Sequence, residues 1–242
     1  MNRKMDKKTV LITGGSGALG SSLVRIFRKE GYDVAFTFNT RKTKAEELST
    51  ETGASAFKAD LTKKEEVAEA VSKVLKAFGR IDILVNNAGL TQVMPFALIE
   101  EEDWDTVIAA NLKSMFLVTR EVVRGMIARK EGVIINIGSL AGHRLLEVPV
   151  HYATAKAGVM GFTLSLAKEL ARYNIRVNSV VPGLLDDGVG KMVPEKEMKE
   201  YINYCSAGRP GKPGEVAEVV LFVASPKASY MNAQNIFVDG GI

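Results

Sequence analysis

Cysteine and histidine are both scarce in this sequence. Cys205 is the only cysteine, and the 242 residues contain two histidines, His143 and His151. A single cysteine cannot form an intrachain disulfide, and two histidines without a cluster of carboxylates or thiols make a poor metal site. The sequence therefore predicts no disulfide, no bound metal ion and a reducing compartment.

Long apolar runs and a dominant charge are absent as well. No stretch of about 18 apolar residues occurs, and the charged residues 1–8 are not followed by an apolar stretch long enough for a signal peptide. The formal net charge is +4, and the basic residues are spread along the chain rather than gathered in a stripe. We therefore expect a cytoplasmic protein that has neither a membrane nor a nucleic acid as its partner.

Short apolar runs alternate with longer segments in which apolar residues recur at three- and four-residue spacing. The runs, rich in Val and Ile, are Thr9–Thr13, Asp33–Phe38, Ala54–Ala59, Ile81–Asn86, Gly132–Gly138, Arg176–Val181 and Asn235–Val238. The helical patterns lie at about 18–30, 42–52, 63–78, 101–130, 151–173 and 214–225. Apolar strands that alternate with helices are typical of parallel sheets covered on both faces. The pattern predicts an α/β protein with a doubly wound Rossmann-type fold, in which helices flank a seven-stranded parallel sheet.

The first predicted strand runs directly into a glycine-rich turn and then into a helical segment. Gly15, Gly17 and Gly20 match the spacing G-x-G-x-x-G. Backbone N–H groups and a helix N-terminus in such a turn can meet a pyrophosphate without side chains between them. The turn predicts a bound dinucleotide; the alternative is a glycine-rich turn that only reverses the chain.

Further motifs follow in a fixed order along the whole chain. They are Thr13-Gly14 with Gly20, Asp60-Leu61, Asn86-Asn87-Ala88-Gly89, Asn111, Ser139, Tyr152 with Lys156, Pro182-Gly183 and Val238-Asp239-Gly240-Gly241. With these motifs the sequence resembles the short-chain dehydrogenase/reductase family, and within it the 3-oxoacyl-carrier-protein reductases most. Two positions depart from the family pattern: Ala18 stands where the glycine loop usually has its middle glycine, and Asp186-Asp187 stand where a threonine is frequent.

The resemblance implies a set of site residues. Its catalytic residues are Asn111, Ser139, Tyr152 and Lys156. Its cofactor-binding residues are Gly14, Ser16, Leu19 and Gly20 in the glycine loop, Asp60 and Leu61 at the adenine, Asn87, Ala88 and Gly89 after the fourth strand, Tyr152 and Lys156 at the nicotinamide ribose, and Pro182, Gly183 and Leu185 near the carboxamide. No metal ligand is implied.

The implied chemistry suits these residue types. Reduction of a ketone needs a hydride at carbon, which a nicotinamide supplies, and a proton at oxygen, which the protein must supply. The ordinary tyrosine pKa of about 10 is too high for efficient proton exchange at neutral pH, so the phenolate needs a nearby positive charge. Lys156 follows Tyr152 on the same helix face, and Ser139 can hold the carbonyl oxygen. By the resemblance, Asn111 connects the lysine to water.

We expect residues 1–242 to form a single dinucleotide-binding catalytic domain. Only Gly183–Pro213 departs from the strand–helix rhythm, since glycines, prolines and charges there interrupt a short amphipathic segment at Glu195–Tyr204. This insertion, at about 184–213, is interpreted as a lid over the ligand edge of the sheet. The segment Leu140–Val150 is expected to form one wall of the substrate pocket.

The end of the second predicted strand bears on the choice of cofactor. A site for NAD usually has an acidic residue there, which binds the ribose 2′-hydroxyl, but this strand is followed by Asn39, Thr40 and Arg41. These residues could bind a 2′-phosphate, so we expect NADP(H) to be preferred, with NAD(H) possible as a cofactor. The alternative is that Arg41 and Lys42 are only the solvated first turn of the next helix.

The whole-chain resemblance predicts NADPH-dependent reduction of a ketone to an alcohol, on a 3-oxoacyl thioester carried by acyl carrier protein or an analogue. Carrier proteins are acidic, and four basic residues near two predicted helix ends form a candidate docking surface: Arg124, Arg129, Lys130 and Arg172. The same cations could simply complement the helix carboxyl ends.

A homotetramer is expected, because the helical segments 101–130 and 151–173 carry more apolar residues than one face needs. Examples are Met115, Phe116, Val159, Met160 and Phe162. Two alternative functions remain open at this point. One is an NAD(P)-dependent dehydrogenase of another small alcohol, sugar, steroid or cyclic ketone. The other is a catalytically silent dinucleotide-binding subunit or sensor.

Overall fold

The computed structural model describes residues 7–242, in which every strand but the last is followed by one or two α-helices. The strands are β1 (Thr9–Ile12), β2 (Asp33–Phe38), β3 (Ser55–Lys58), β4 (Ile83–Asn86), β5 (Gly132–Ile137), β6 (Ile175–Pro182) and β7 (Asn235–Val238). The α-helices are α1 (Ala18–Lys29), α2 (Lys42–Thr52), α3 (Lys64–Phe78), α4 (Glu101–Ile108), α5 (Ser114–Arg129), α6 (Val150–Leu170), α7 (Glu195–Tyr204) and α8 (Pro213–Ala224). The predicted α/β pattern is confirmed, and each strand end lies within one or two residues of its predicted position.

The seven strands form one sheet in the order β3-β2-β1-β4-β5-β6-β7, and all neighbouring strands are parallel. The predicted doubly wound, seven-stranded parallel sheet is therefore confirmed. After β3 the chain returns to the middle of the sheet and adds β4 on the other side of β1, so the strand order reverses between these two strands. A crevice opens beyond the carboxyl ends of the strands at such a reversal, and ligands of open α/β sheets bind there.

Side chains of each strand point alternately to two hydrophobic layers. Val10 and Ile12 pack in a cluster with α1 and α8, whereas Leu11 between them packs in a second cluster with α3 and α5. Both clusters are fully buried at their centres, as Phe27 and Met126 show. Burial on both faces explains why the strands are apolar at nearly every position rather than at alternate ones.

One predicted helix is interrupted in the structure. Segment 101–130 consists of α4, a π-helical turn at Ala109–Lys113 and α5. Side chains bond backbone carbonyls at this interruption: Asn111 Nδ2 donates to the Val107 carbonyl at 2.8 Å, and Ser114 Oγ donates to the Ala110 carbonyl at 2.6 Å. A π turn inserts one residue into an otherwise helical run, which apolar periodicity does not reveal.

The surplus of apolar residues on the long helices is smaller than the sequence suggests. Met115 and Val159 are 5% and 1% exposed and belong to the core of the chain itself. Phe116 and Leu164 remain exposed at 47% and 46%. Exposed residues such as Phe116 and Leu164 are therefore the ones that leave apolar surface on α5 and α6 for another molecule.

Arg176, near the start of β6, joins the last turn of α8 to the segment before β7. Its guanidinium donates to the carbonyls of Val223 at 2.9 Å, Ser225 at 3.2 Å and Met231 at 3.2 Å. Backbone carbonyls at a helix end have no partner within the helix, so a buried end depends on such a donor. This single side chain therefore stabilises the packing of α8 beside β7.

We expect Arg176→Met to lower the free energy of unfolding by about 2–4 kcal/mol, because three carbonyls lose a charged donor. Arg25→Met is the matched control, since Arg25 bonds Glu51 on the surface with both side chains about half exposed, and it should cost less than about 1 kcal/mol. Urea titration of the three proteins measures both values. Equal losses in the two variants would contradict the role given to Arg176.

Candidate active site

The glycine loop after β1 is built on contacts that only glycine permits. Gly14 has a φ of +66°, and a Cβ there would lie 2.9 Å from the Ala88 Cα. A Cβ at Gly20 would run into the Gly14 carbonyl and would lie 2.8 Å from the Gly15 Cα. The loop therefore packs tightly against the start of α1 and the end of β4, and a ligand phosphate can approach its backbone N–H groups from outside.

Two threonines hold this loop to the neighbouring strands. Thr13 Oγ1 accepts hydrogen bonds from the backbone N–H groups of Asn87 and Ala88, both at 2.9 Å. Thr37 Oγ1, on β2, accepts from the Gly14 N–H at 3.2 Å. The Asn87 side chain also bonds the loop, because its Nδ2 donates to the carbonyls of Thr13 and Gly14. The sequence marks Thr13 only as part of a motif and Thr37 not at all, since their partners are distant in the chain.

Ser139, Tyr152 and Lys156 come together beyond the end of β5. Ser139 is near enough to the Tyr152 hydroxyl to affect the pKa of the phenol, and Ser139 Oγ accepts from the Ala141 N–H at 3.2 Å. Lys156 is 6% exposed, donates from Nζ to the Ile137 carbonyl at 3.0 Å, and has its Nζ 5.7 Å from the Tyr152 ring centre. Tyr152 and Lys156 share one face of α6, as their spacing predicts.

Burial shifts the two titrating groups of this cluster in opposite directions. It lowers the pKa of Lys156 to about 8, because the ammonium loses its water shell. It raises the pKa of the Tyr152 phenol, and the hydrogen bond from Ser139 offsets only part of that rise. In the free chain, desolvation thus outweighs the stabilisation of phenolate that the sequence analysis expects from Lys156. A further positive charge beside the phenol would favour its ionised form.

Asn111 lies on the π-helical turn and faces the same cluster. It is 2% exposed, and its Nδ2 donates to the carbonyls of Leu90 at 2.7 Å and Val107 at 2.8 Å. Its Oδ1 approaches Gly89 so closely that a Cβ at Gly89 would not fit, and the same Cβ would lie 3.7 Å from Lys156 Nζ. Gly89 therefore lets Asn111 and Lys156 approach each other.

The residues expected at the adenosine half of a dinucleotide lie on the other side of β1. Asp60 Oδ1 accepts from the N–H and the hydroxyl of Thr62, and these bonds lower the pKa of the Asp60 carboxyl. Leu61 borders a small cavity that it shares with Thr13 and Lys156. At the end of β2, three exposed residues face solvent: Asn39, Thr40 and Arg41. No carboxylate follows that strand directly.

At the other end of the crevice, β6 leads into the segment expected to be a lid. Leu184 and Asp186 exchange backbone hydrogen bonds with Gly211, both at 2.9 Å, which closes the base of the segment. The Tyr201 hydroxyl, on α7, accepts from the Leu184 N–H and donates to the Asp239 carbonyl. Because a Cβ at Gly183 would collide with that hydroxyl, the glycine of Pro182-Gly183 is required there.

The segment also lies against the glycine loop. A Cβ at Gly188 would lie 3.1 Å from the Cβ of Ala18, the residue that replaces the usual middle glycine. Asp187 pairs with Lys191 at 2.7 Å and accepts from the Gly188 N–H, so its carboxylate is directed at its own turn. Leu185 is half-buried beside Gly211. Of the predicted loop residues, Ser16 and Leu19 are half-buried at the same edge.

Other residues singled out from the sequence take structural positions. His143 stacks on Phe237 with the ring centres 4.7 Å apart, and Arg144 lies 5.2 Å from the same ring. His151 is fully buried, and its Nδ1 accepts from the Tyr152 N–H. Cys205 is buried against the carbonyls near the chain end. In residues 7–242, histidines, cysteines and carboxylates form no group that could hold a metal ion.

Arg129, Lys130 and Arg172 lie near the amino ends of the strands, whereas Tyr152 lies near the carboxyl ends. Arg129 donates to the Ile81 carbonyl just before β4, and Arg172 stacks on Tyr173 just before β6. Arg124 pairs with Glu121 on the surface. Helix carboxyl ends lead to the amino ends of the following strands in such folds, so Arg129, Lys130 and Arg172 lie where a cation meets a helix dipole favourably.

The described residues include no helix with the length and apolar character needed to cross a membrane.

The crevice suits a dinucleotide. It combines a glycine loop at a helix N-terminus, a carboxylate beyond β3, and a buried Tyr–Lys pair. Such a pair can pass a proton to a substrate oxygen.

Comparisons with known proteins agree with this geometry. Residues 15–242 match a family model described as enoyl-(acyl carrier protein) reductase. The chain is 40% identical to the 3-oxoacyl-[acyl-carrier-protein] reductase FabG of Thermotoga maritima, with 99% of each chain covered, and 37% identical to FabG of Chlamydia muridarum, with 100% of each covered. A solved structure of a substituted short-chain dehydrogenase/reductase from Serratia marcescens superposes with a TM-score of 0.92 at 31% identity and covers 99% of both chains.

These full-length matches confirm the resemblance that the motifs predict. The chain belongs to the short-chain dehydrogenase/reductase family and is an NAD(P)-dependent oxidoreductase acting on CH–OH or C=O groups.

Proposed function

We propose that this chain reduces the 3-oxo group of an acyl thioester on acyl carrier protein, or a close analogue, to the 3-hydroxy group with NADPH. The observation that carries the proposal is the grouping of three side chains: Ser139 acts on the Tyr152 phenol, and Lys156 is buried beside them. Two adjacent hydroxyls can both bond one carbonyl oxygen. Relatives of the same length that are named 3-oxoacyl-carrier-protein reductases support the choice of substrate.

Each side chain of the cluster has a separate role in the proposed reaction. The bound dinucleotide supplies the hydride for the carbonyl carbon. Ser139 donates a hydrogen bond that holds the carbonyl oxygen beside the phenol, and Tyr152 transfers its proton to that oxygen as the C–O double bond becomes single. The ammonium of Lys156 stabilises the phenolate that remains, and Asn111 connects the lysine to water for reprotonation.

The same cleft residues suit the cofactor. Gly14, Ser16, Leu19 and Gly20 would hold the pyrophosphate, with Asp60 and Leu61 at the adenine. Asn87, Ala88 and Gly89 would line the ribose side with Lys156, and Pro182, Gly183 and Leu185 the carboxamide. We propose that the insertion at about 184–213 acts as a lid over this cleft within a single catalytic domain spanning residues 1–242.

A second candidate reaction is reduction of a 2-enoyl thioester, which the description of the matching family model suggests. The Ser139–Tyr152 pair favours the 3-oxo substrate, because both hydroxyls serve an oxygen at the carbon that receives the hydride.

A substrate panel separates these reactions. We expect turnover with 3-oxoacyl carrier protein, or with its CoA analogue, to exceed turnover with 2-enoyl thioesters, cyclic ketones and sugars at least tenfold in kcat/KM. Activity confined to cyclic ketones or sugars would refute the proposed substrate, and preference for the enoyl thioester would favour the second reaction.

We propose further that the chain forms a homotetramer. Exposed Phe116 and Leu164 on α5 and α6, and exposed Phe222 and Tyr230 near β7, supply two separate apolar surfaces for contacts between copies. A mass of four chains by light scattering at micromolar concentration is expected, and a monomer under these conditions would contradict the assembly.

We also propose that an acidic carrier docks at Arg172, and the assembly then determines which active site the carrier serves. Arg172 lies about 30 Å from Tyr152, at a rise of 1.5 Å for each helical residue. A carrier bound there would therefore deliver its substrate to a neighbouring subunit, which requires α6 helices to pair antiparallel. Arg172 is a cleaner test position than Arg129, because the Arg129 guanidinium also bonds the Ile81 carbonyl.

We expect Arg172→Glu to raise KM for the carrier-linked substrate at least tenfold and to leave the CoA-linked rate unchanged. The control is Lys29→Glu, an exposed cation in the last turn of α1, which should leave both rates unchanged. An unaltered carrier-linked KM in Arg172→Glu removes the docking argument without affecting the proposed reaction.

The cofactor preference is proposed from the end of β2. Asn39, Thr40 and Arg41 are exposed beside the glycine loop and present donors rather than a carboxylate, so a 2′-phosphate is not repelled. NADP(H) is thus the proposed cofactor, and NAD(H) remains a weaker substitute.

We expect Arg41→Ala to lower the ratio of kcat/KM for NADPH over NADH at least fivefold, because one charge-assisted bond to the 2′-phosphate is lost. Lys64→Ala removes an equally exposed cation from the start of α3 and should leave the ratio unchanged. A higher kcat/KM with NADH in the unsubstituted enzyme would overturn the proposed preference.

Tyr152→Phe tests the proposed acid. We expect a loss of about 10²–10⁴ in kcat with the dissociation constant for NADPH nearly unchanged, because the hydroxyl donates the proton but contributes little packing. Tyr230→Phe, on an exposed tyrosine, is the matched control and should keep the full rate. If Tyr152→Phe retains more than about a tenth of the parent rate, another group is the acid.

A further inference from the structure

A string of buried polar side chains runs from α6 through the sheet to the active site. Asn86 on β4 and Asn136 on β5 are paired in register, and Asn136 contacts Thr163 on α6. Asn136 and Thr163 are completely buried, and Asn86 is 5% exposed. A buried polar group is costly unless it is hydrogen-bonded, so each donor in this string must face an acceptor. The direction of one bond therefore determines the direction of the next.

The direction follows from Thr163. Its hydroxyl donates to the Val159 carbonyl at 2.7 Å, so its Oγ1 can only accept from Asn136 Nδ2, at 2.9 Å. Asn136 Oδ1 must then accept from Asn86 Nδ2, also at 2.9 Å. The other hydrogen of Asn86 Nδ2 goes to Thr119 Oγ1 at 2.9 Å. Asn86 Oδ1 is consequently a buried acceptor that no described residue satisfies.

Asn86 borders the same small cavity as Asn111 and Lys156, and the cavity has room for about one water molecule. Asn111 gives both of its Nδ2 hydrogens to backbone carbonyls, so its Oδ1 is likewise a buried acceptor with no partner in residues 7–242. Lys156 Nζ has three hydrogens when charged, and one of them bonds the Ile137 carbonyl. Two acceptors and one donor therefore border a space of one water.

We propose that Thr163 is a positioning residue for Lys156, because it orients Asn136 and Asn86 so that Asn86 Oδ1 and Asn111 Oδ1 together bind one water that accepts from Lys156 Nζ. The proposal rests on the proposed catalytic role of Lys156. Thr163 itself touches neither substrate nor cofactor in this scheme and acts through two amides and the water.

The electrostatic consequence follows from the geometry of the water. With both hydrogens on amide oxygens, its lone pairs point towards Nζ and favour the charged amine, which offsets part of the desolvation that lowers the pKa of Lys156 to about 8. The other residues bordering the cavity are uncharged, and Tyr152 on α6 is the titratable side chain in contact with the amine among those described.

Loss of the Thr163 hydroxyl should reverse this effect. Asn136 Nδ2 then has no acceptor, so Asn136 and Asn86 are free to turn and Asn86 can present an N–H to the cavity. An N–H facing the ammonium favours the neutral amine, and the pKa of Lys156 falls further. A lower pKa means that Lys156 loses its proton at lower pH, so the high-pH limb of the reductive rate moves to lower pH.

The test compares Thr163→Val, Thr163→Ser and Ser179→Ala. Valine keeps the shape of threonine without its hydroxyl, and serine keeps the hydroxyl. Ser179 is the control because it is paired with Asn136 in the sheet, is completely buried and has a hydroxyl outside the string. The pKa of Lys156 is measured in the cofactor-free proteins by NMR of carbon-13-labelled lysine, with the signal assigned by its loss in Lys156→Met.

We expect Thr163→Val to lower the pKa of Lys156 by about one unit, and the other two variants to leave it within a few tenths. An unchanged value in folded Thr163→Val overturns the proposal. Because this measurement needs no turnover, it is independent of the Tyr152→Phe result, which tests the proposed reaction.

A crystal structure of the unsubstituted enzyme at about 1.2 Å resolution provides a test that does not depend on any variant folding. It should contain one ordered water within hydrogen-bonding distance of Asn86 Oδ1, Asn111 Oδ1 and Lys156 Nζ. Absence of that water, or an Asn86 amide turned the other way, overturns the proposal.

Discussion

The burial of one amine, Lys156, is the constraint on which the rest of the site depends. Burying the ammonium of a lysine that is only 6% exposed costs free energy. The hydrogen bond from Lys156, on α6, to the Ile137 carbonyl, at the end of β5, offsets part of that cost. The same two elements carry Tyr152 and Ser139, so the fold that buries the charge also brings the phenol and the hydroxyl to it. Gly89 completes the arrangement, since any side chain there would separate Asn111 from the amine.

A second constraint is close approach of backbones where the strand order reverses. Gly14 and Gly20 let the turn after β1 pack against Ala88 and the start of α1, and hydrogen bonds through Thr13 and Thr37 hold that turn to the end of β4 and to β2. The result is a rigid glycine loop at the start of α1, where the N-terminal N–H groups of a helix suit a phosphate better than flexible side chains do. Gly188 lies so close to this loop that an added Cβ would be 3.1 Å from the Ala18 methyl, which places the insertion after β6 beside the loop.

The fold could be predicted from the sequence in nearly every respect because its determinants are local. Apolar strands and amphipathic helices have distinct periods, and their alternation leaves few topologies for a parallel sheet. The glycine loop and the Tyr152–Lys156 pair were visible for the same reason, since each depends on spacing within a single element. The π-helical turn at Ala109–Lys113 was not visible, because one inserted residue changes no apolar period.

The sequence by itself determined which elements form, their order, and which side chains of α6 share a face. Only the tertiary structure decided what surrounds them: that Met115 and Val159 belong to the core, that burial raises the pKa of Tyr152, and that Thr163 is joined to Asn86 through Asn136. Those properties depend on contacts between residues far apart in the chain. Desolvation and hydrogen-bond direction are set by such neighbours, and no local pattern of residues encodes them.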